Sequence, residues 1–597
     1  MTFKTLIKSV GLVVFLGSLG LWVATLFLGE YRLTTQTLEE LLGDETKAKE
    51  VLPYFSGVLD QTYTNKFAFI GTVKSTIKDA NTGITDKYQI TEAEIDALAG
   101  NSESEITFAL SLTETVFAGE GEVPAFKRKI FADYGGWLDG RAFASSADLR
   151  GQIEGTVGYI NADILKTRGI DKYTLKAIKV DMIKRATVGF VPDNNALLSI
   201  IIFIVGTIGA LMYILPKFTD GPEGIKHNGI FHSAMKSQGW LGILTGSFLI
   251  GFYILLYWYA EYITEWTIIL DPLSMRLSGN GASQWFLYGF LYTVAVLVMG
   301  IRMYTKYRHS KYQLIRTTSV MFFQTAFAFI IPEILVRMNQ PYFDFKNIWP
   351  LDYDFFFSFN LKELAANGGI GVFMLGWGIA LILVGVPVFT YFFGKRWYCS
   401  WVCGCGGLAE TLGDPYRQLS DKSLKAWKVE RILIHSVLVF AVVMTSVTLI
   451  NFFTDGRMLG SLTEPVQEVY GFAIGSAFAG VIGTGFYPLM GNRMWCRFGC
   501  PLAAYLGIVQ KFKSRFRITT NGGQCISCGN CSTYCEMGID VRWYAQRGQN
   551  IIRSSCVGCG VCSQVCPRGV LKLENKEEKG RFNEPILIGN DGVKVTM

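Results

Sequence analysis

Long apolar stretches alternate with short charged loops over most of this chain, and that rhythm predicts a bundle of membrane-crossing helices. The first stretch, Leu6–Leu28, is interrupted only by Lys8. Others run near Leu197–Leu215, Leu241–Tyr259, Gln284–Tyr304, Ser319–Val336, Gly369–Phe393, Ile432–Phe452 and Gly471–Met490. Each has roughly 18–25 residues, enough to cross ~30 Å of hydrocarbon. Leu6–Leu28 is too long for a signal-peptide core, and no small-residue cleavage site follows it. It reads as an uncleaved anchor, the first of eight spans.

Gly29–Asn195 breaks the pattern, being polar and mixed. Ile106, Phe108, Leu110 and Leu112 alternate with mostly polar or small residues, which predicts a half-buried strand. The region has the length of one small α+β domain. The predicted fold is therefore an α-helical polytopic membrane protein with an extracytoplasmic α+β domain and a C-terminal ferredoxin domain. Its parts are an anchor (1–28), the external domain (29–195), a membrane core (196–512), a ferredoxin-like domain (513–575) and a tail (576–597).

Composition agrees with a membrane location. The 597 residues are 50% hydrophobic and only 18% charged, less charge than a soluble chain carries. The formal net charge of +7 is modest; it fits electrostatics at an anionic leaflet and not nucleic-acid binding. The charges sort by loop. Lys217, Lys226 and Lys236 lie in one loop, Arg302, Lys306, Arg308, Lys311 and Arg316 around the next on that side, and Lys395, Arg396, Arg417, Lys422, Lys425, Lys428 and Arg431 in a third. Arg493, Arg497, Lys511, Lys513, Arg515 and Arg517 follow the last span. Opposite loops hold Glu261, Glu265, Asp271, Asp344, Asp352, Asp354, Asp455, Glu464 and Glu468. The positive-inside rule then predicts cytoplasmic termini in a bacterial inner membrane, with 29–195 outside.

All 13 cysteines lie between Cys399 and Cys566, on the side that rule calls cytoplasmic. Eight form two matching runs, Cys525-x2-Cys528-x2-Cys531-x3-Cys535 and Cys556-x2-Cys559-x2-Cys562-x3-Cys566-Pro567. Three thiolates at that spacing wrap one cubane while the fourth reaches to a second, so the runs interlock. Cys525, Cys528, Cys531 and Cys566 are expected on one [4Fe-4S] cluster, and Cys556, Cys559, Cys562 and Cys535 on the other. Zinc sites use two CxxC pairs across a longer loop. Glu536, not proline, follows Cys535.

A second constellation lies upstream. Cys399-x3-Cys403 sits in GKRWYCSWVCGCGG, and Cys496-x3-Cys500 in GNRMWCRFGCPLAAYLG, each just past a span. A spacing of four predicts two thiols on one face of a helical turn. Buried packing cysteines have the same look, but the neighbouring cations favour thiolate. The pairs are expected to converge on one metal or redox site. Cys405 has no assigned purpose.

At these residues the chain resembles the membrane-bound polyferredoxins of the NapH and NosR type, over about Gly369–Leu573. That family joins a membrane core, two CxxxCP motifs and a C-terminal pair of [4Fe-4S] runs. The resemblance implies electron transfer between cytoplasmic-side clusters and a quinol pool or an extracytoplasmic reductase. Larger NosR-like members add an external domain after a first anchor. The chain departs from the pattern twice. Gly404 replaces the first proline, and the external flavin-bearing S/T-G-A-T motif has no full match. Its nearest string is Asn81-Thr82-Gly83-Ile84-Thr85, which reads as a turn, so flavin at Thr85 is not expected.

Among the four histidines, His227, His232 and His309 read as solvated or headgroup contacts. His435 starts a span, where a packed interfacial role competes with approach to a quinone or cluster. Glu333 follows Pro332 inside a span and could pair with Arg337 at i+4. Pro341–Phe359 reads as an aromatic belt or as a docking surface for an external redox or metalloenzyme partner. The alternative to electron relay is a membrane sensor or metalloenzyme-maturation factor, its clusters serving signalling or reducing power.

Overall fold

The structure, a computed structural model, describes residues 3–216, 239–454, 457–522, 524–575, 586–588 and 593–595. Lys217, Lys226, Lys236, His227, His232 and Asp455 lie outside the described residues, as does most of the tail.

Among the described residues, eight helices are long and apolar enough to cross a membrane: Phe3–Phe27, Asn195–Ile214, Trp240–Trp258, Gln284–Lys306, Lys311–Arg337, Gly368–Phe393, Leu424–Phe453 and Pro465–Gly485. They coincide with the eight apolar stretches. Four contain π-helical segments, at Ile200–Val205, Phe323–Ile330, Leu381–Gly385 and Gly471–Ile482. Such widened turns re-aim side chains and often mark functional positions. Small residues set the close approaches. A Cβ on Gly11 would lie 2.8 Å from the Gly209 carbonyl oxygen, so only glycines let these two helices meet.

The chain divides into two compact units. The first holds the spans and everything C-terminal to Leu270. The aromatic segment after Arg337 turns inward: Phe343, Ile348, Phe355 and Phe357 are buried in the core shared by Met374, Ile382 and Tyr470. This corrects the reading of 341–359 as a surface belt, since only its ends expose large apolar side chains, Tyr342 and Phe359.

The second unit is Val23–Asn195 together with Glu261–Ile269. It is mainly helical, organised on Lys66–Tyr88 and Ser146–Arg168. Its strands are short. Glu30–Arg32 pairs antiparallel with Thr62–Tyr63 and with Thr187–Val188, Tyr31 facing Tyr63 and Thr187. The strand expected over 106–112 shrinks to Ile106–Thr107, paired with Ala142–Phe143; Leu112 already opens a helix. Glu261 and Glu265, counted among the charges of the opposite loops, are buried here. Glu265 takes the Lys66 ammonium and the Tyr31 hydroxyl, and Glu261 pairs with Lys74 and Lys179 at 3.1 and 3.2 Å.

Candidate iron–sulfur sites

Two equivalent turns build the C-terminal region. Gly529 (φ 81°) caps Asn530–Thr533 and Gly560 (φ 74°) caps Val561–Gln564, so Cys531 and Cys562 are each the second residue of matching short helices. Both caps are left-handed, which glycine alone adopts without strain. Strand Phe516–Thr520 pairs antiparallel with Leu571–Asn575 and closes the region on itself.

This fold sorts the eight thiols into two groups. Cys525, Cys528, Cys531 and Cys566 line one small cavity, walled by Ile526, Val570 and Leu571. Cys535, Cys556, Cys559 and Cys562 line another, walled by Ile518, Ile539 and Val557. These are the interlocked sets expected for two cubanes. The Ser527 and Ile539 N–H groups donate to Cys525 and Cys535 sulfur at 3.4 and 3.3 Å, the kind of contact that sets a cluster's potential. Four thiols per apolar cavity with N–H donors fit a [4Fe-4S] cluster, which would be held by those residues. Burial pushes the bare Cys531 thiol up to about 12 and Cys556 up to about 11; metal binding must therefore displace protons. The groups differ in access, since Cys528 is exposed while Cys556 and Cys562 are buried.

The CxxxC pairs also repeat one geometry, though not that of a single helical turn. Cys399 ends the short helix Arg396–Cys399, whereas Cys403 is extended (φ −63°, ψ 129°) and caps Gly404–Glu410. Cys496 lies in the π-helical turn Trp495–Gly499, and Cys500 is extended (φ −85°, ψ 111°), capping Pro501–Lys513. The Cys403 N–H reaches the Tyr398 carbonyl at 2.8 Å, and the Cys500 N–H reaches Trp495 at 2.9 Å. In each pair the second cysteine lies outside the first helix and caps the next. Gly404 therefore holds the first-turn position that Pro501 holds in the second pair, where proline is favoured but not required. A Cβ at Gly404 would stand 2.9 Å from Gln324 Oε1, so close packing takes precedence over the ring.

The four thiols come together. All are buried in one cluster with the ferredoxin core. The Arg493 guanidinium donates to the Cys399 carbonyl at 3.1 Å and to Cys496 sulfur at 3.7 Å. Burial pushes Cys399 up to about 12, Cys496 and Cys403 adding to the rise while Lys395 and Arg493 oppose it. Cys500 is raised well above the ordinary thiol by burial and then by Cys496, Cys399 and Cys403. Cys403 alone goes down, to about 6, chiefly through its hydrogen bond with Cys405 and also through the Gly406 N–H.

Beside the thiols lies a buried ion cluster that the sequence did not disclose. Glu410 faces Arg316, Arg417 and Arg493 at 2.7, 2.7 and 2.6 Å. Glu536 faces Arg417 at 2.9 Å and Arg493 at 3.2 Å. Asp414 takes Arg302 and Lys306 at 2.9 and 2.6 Å, with Arg417 at 3.5 Å. Burial would raise the Glu410 carboxyl, yet the three arginines hold it well below the ordinary range. Glu410, Glu536 and Cys559 present ligand atoms within 4.8 Å of one another, but the guanidinium groups already occupy both carboxylates. Several cations counted for topology, Arg302, Lys306, Arg316, Arg417 and Arg493, are thus internal pairs and not loop charge. The one available signal was Glu536 standing where the second run has Pro567.

Other candidates fall elsewhere. His435 is exposed, its Nδ1 2.9 Å from the Arg431 carbonyl oxygen. Glu333 does not pair with Arg337, whose guanidinium donates to the Arg276 carbonyl. His309 is half-buried. Asn81–Thr85 is not a turn but lies inside the helix Lys66–Tyr88, with Asn81 bonded to both backbone groups of Ile170.

A 4Fe-4S binding domain family matches residues 375–423, and a 4Fe-4S dicluster domain family matches 495–571. The first match contains Cys399, Cys403 and Cys405, and the second contains the remaining ten cysteines. YccM of Escherichia coli K12, named for electron transport, is 27% identical over 166 residues, 25% of this chain and 43% of that protein. The methylamine utilization ferredoxin-type protein MauN of Methylorubrum extorquens is 26% identical over 237 residues, 38% of this chain and 75% of its own length. MauN of Methylobacillus flagellatus is 24% identical over 165 residues, 26% of this chain and 53% of that protein. The chain thus spans about half the length of YccM and of the second MauN. No solved structure matches. The chain carries two 4Fe-4S domains of the ferredoxin type and is homologous to YccM and MauN.

Proposed function

We propose that this is a membrane-bound electron-transfer protein that relays electrons between ferredoxin-type clusters on the cytoplasmic side and a quinol pool or an extracytoplasmic reductase. Bound clusters would supply the one-electron chemistry; the chain supplies burial, spacing and charge. In this reading Cys399, Cys403, Cys496 and Cys500 hold a further metal or iron–sulfur centre beside the spans. The Cys535/Cys556/Cys559/Cys562 group, in which Cys556 and Cys562 are buried, lies next to it, and the group with exposed Cys528 faces a soluble partner. Both termini are cytoplasmic, and exposed Lys311, Lys425, Lys428, Lys511 and Lys513 remain to meet anionic lipid.

The observation that carries the reading is a cavity of ≈590 Å³ whose wall includes Cys403 and Cys405. Trp285, Phe286, Tyr288 and Tyr292 make its sides, and Gln324, Glu333 and Lys346 supply polar ends. A mostly apolar pocket with a few convergent polar groups is the usual form of a small-molecule site. Its reach from the spans to a thiol suits a quinol headgroup. Burial would lower the Lys346 ammonium, but Asp344 at 2.7 Å holds it above its ordinary value, with Cys403 and Cys405 adding to that.

Anaerobic purification tests this. About 12 Fe and 12 sulfide per chain are expected if the upstream thiols hold a cubane, against about 8 for the ferredoxin pair alone. Cys403→Ser or Cys496→Ser should impair cluster reduction by a quinol analogue while the eight-iron content persists. The double variant should be little worse, because members of one unit are non-additive. Full reduction in both single variants would refute the reading.

A further inference from the structure

The guanidinium of Arg493 touches a thiol of the upstream group, and that of Arg417 touches Cys559 of the ferredoxin region, each at 3.7 Å. The same two arginines are clamped from both sides by the same two acids, Glu410 and Glu536. Asn492 adds a bond to Glu536 at 3.1 Å and one to the Ala409 carbonyl at 2.7 Å, and Ser420 donates to the Glu536 carbonyl at 2.7 Å. Every member is buried, so water does not screen the charges. The bridge reaches only one of the two ferredoxin groups. Cys566 and its partners lie against Arg542 and Arg568 instead.

We propose that Arg417 and Arg493, held by Glu410 and Glu536, are positioning residues that set the reduction potentials of two neighbouring centres and make the Cys535/Cys556/Cys559/Cys562 group the one electrostatically joined to the upstream thiols. The upstream arm rests on the reading above; the Arg417 arm does not. The physics is direct. Reduction adds negative charge to a thiolate-bound centre, and a fixed guanidinium at one sulfur stabilises that charge, raising the potential. A shared pair of carboxylates holds both guanidinium planes in one orientation, which a lysine could not reproduce because it lacks the planar fork. Glu536 occupies a slot that Pro567 fills in the second run. That exchange is what couples the first run to the bridge.

The test is an EPR-monitored redox titration of the membrane-extracted, iron-loaded full chain. Arg417→Gln should lower the midpoint of one ferredoxin cluster and leave the other where it was. Arg417→Lys keeps the charge without the fork and should recover part of the shift. Glu536→Gln removes a negative charge and should move the same midpoint up. Arg493→Gln should lower the midpoint of the upstream centre. Iron content and insertion of each variant guard against misfolding; should Arg417→Gln lose iron, the Arg417→Lys and Glu536→Gln pair decides, since their shifts must have opposite signs. Equal movement of both ferredoxin midpoints, or none, would overturn the proposal. Iron limited to the two ferredoxin clusters would instead remove the upstream centre and the function proposed for it, with the Arg417 shift still measurable.

Discussion

At the scale of single residues, buried charge governs this protein. Glu265 is fully buried against Lys66, itself only 5% exposed. Removing one partner of such a pair costs about 3–5 kcal/mol, because the other is left as a buried charge. Glu265→Ala is expected to destabilise the second unit by that amount, measured by thermal proteolysis of the full chain. The pH dependence follows. Burial lowers the Lys66 ammonium below its ordinary value, and Glu265 opposes that fall. Without Glu265 the folded-state value drops further. Between that value and the unfolded one the unfolded chain binds more protons, so stability rises with pH. The deficit of Glu265→Ala should therefore shrink from pH 7 toward pH 10, and an equal or growing deficit would contradict the assignment. None of this was legible in advance. Lys66 and Glu265 are separated by nearly two hundred positions, and a buried acid looks in sequence like any loop acid. The eight C-terminal cysteines were legible because their grouping is written in local spacing. Glu410 and Asp414 were not, since their partners come from distant helices.

At the scale of elements, the spans could be read because a membrane helix is specified by its own length and apolarity. What they enclose could not. The stretch from Phe343 to Phe357 has the composition of an interfacial belt, and only tertiary packing turns it inward. The receiving surfaces are glycines. A Cβ on Gly378 would stand 2.3 Å from the Phe355 ring, and one on Gly475 would stand 2.6 Å from Tyr353. Trp349 Nε1 donates to Thr445 Oγ1 at 2.9 Å and ties the segment to a span. Phe355→Ala should cost about 3–5 kcal/mol, as expected for an emptied aromatic site, and Gly378→Leu should destabilise by overpacking the same contact. Tyr342→Ala, at an exposed position, should leave the melting temperature in detergent nearly unchanged. Equal shifts for the Tyr342 and Phe355 variants would place the segment outside the core. The CxxxC motif was half legible in the same way. Its spacing implied paired thiols, but not the break after each first helix, which leaves Cys403 and Cys500 extended at the start of the next.

At the scale of the whole molecule, iron and folding should be linked in one unit only. Five buried cations, Arg302, Lys306, Arg316, Arg417 and Arg493, face three carboxylates, Glu410, Asp414 and Glu536. Buried charge in excess of its partners is costly. The anionic thiolate sets beside Arg417 and Arg493 are the available balance, so metal held there supports the fold as well as the chemistry. The second unit has its own cores, around Phe69 and Ile164 and around Phe131 and Ile153, and no cysteine. Removal of iron by an oxidant and chelator is therefore expected to open 394–575 to protease while fragments from 29–195 keep their resistance. The loss should be steeper in Glu410→Gln, which adds to the cation excess. Hydrogen exchange resolved along the full chain checks both statements. Simultaneous loss of protection in 29–195, or unchanged protection in 394–575, would show that the metal does not carry the charge balance of the ion cluster.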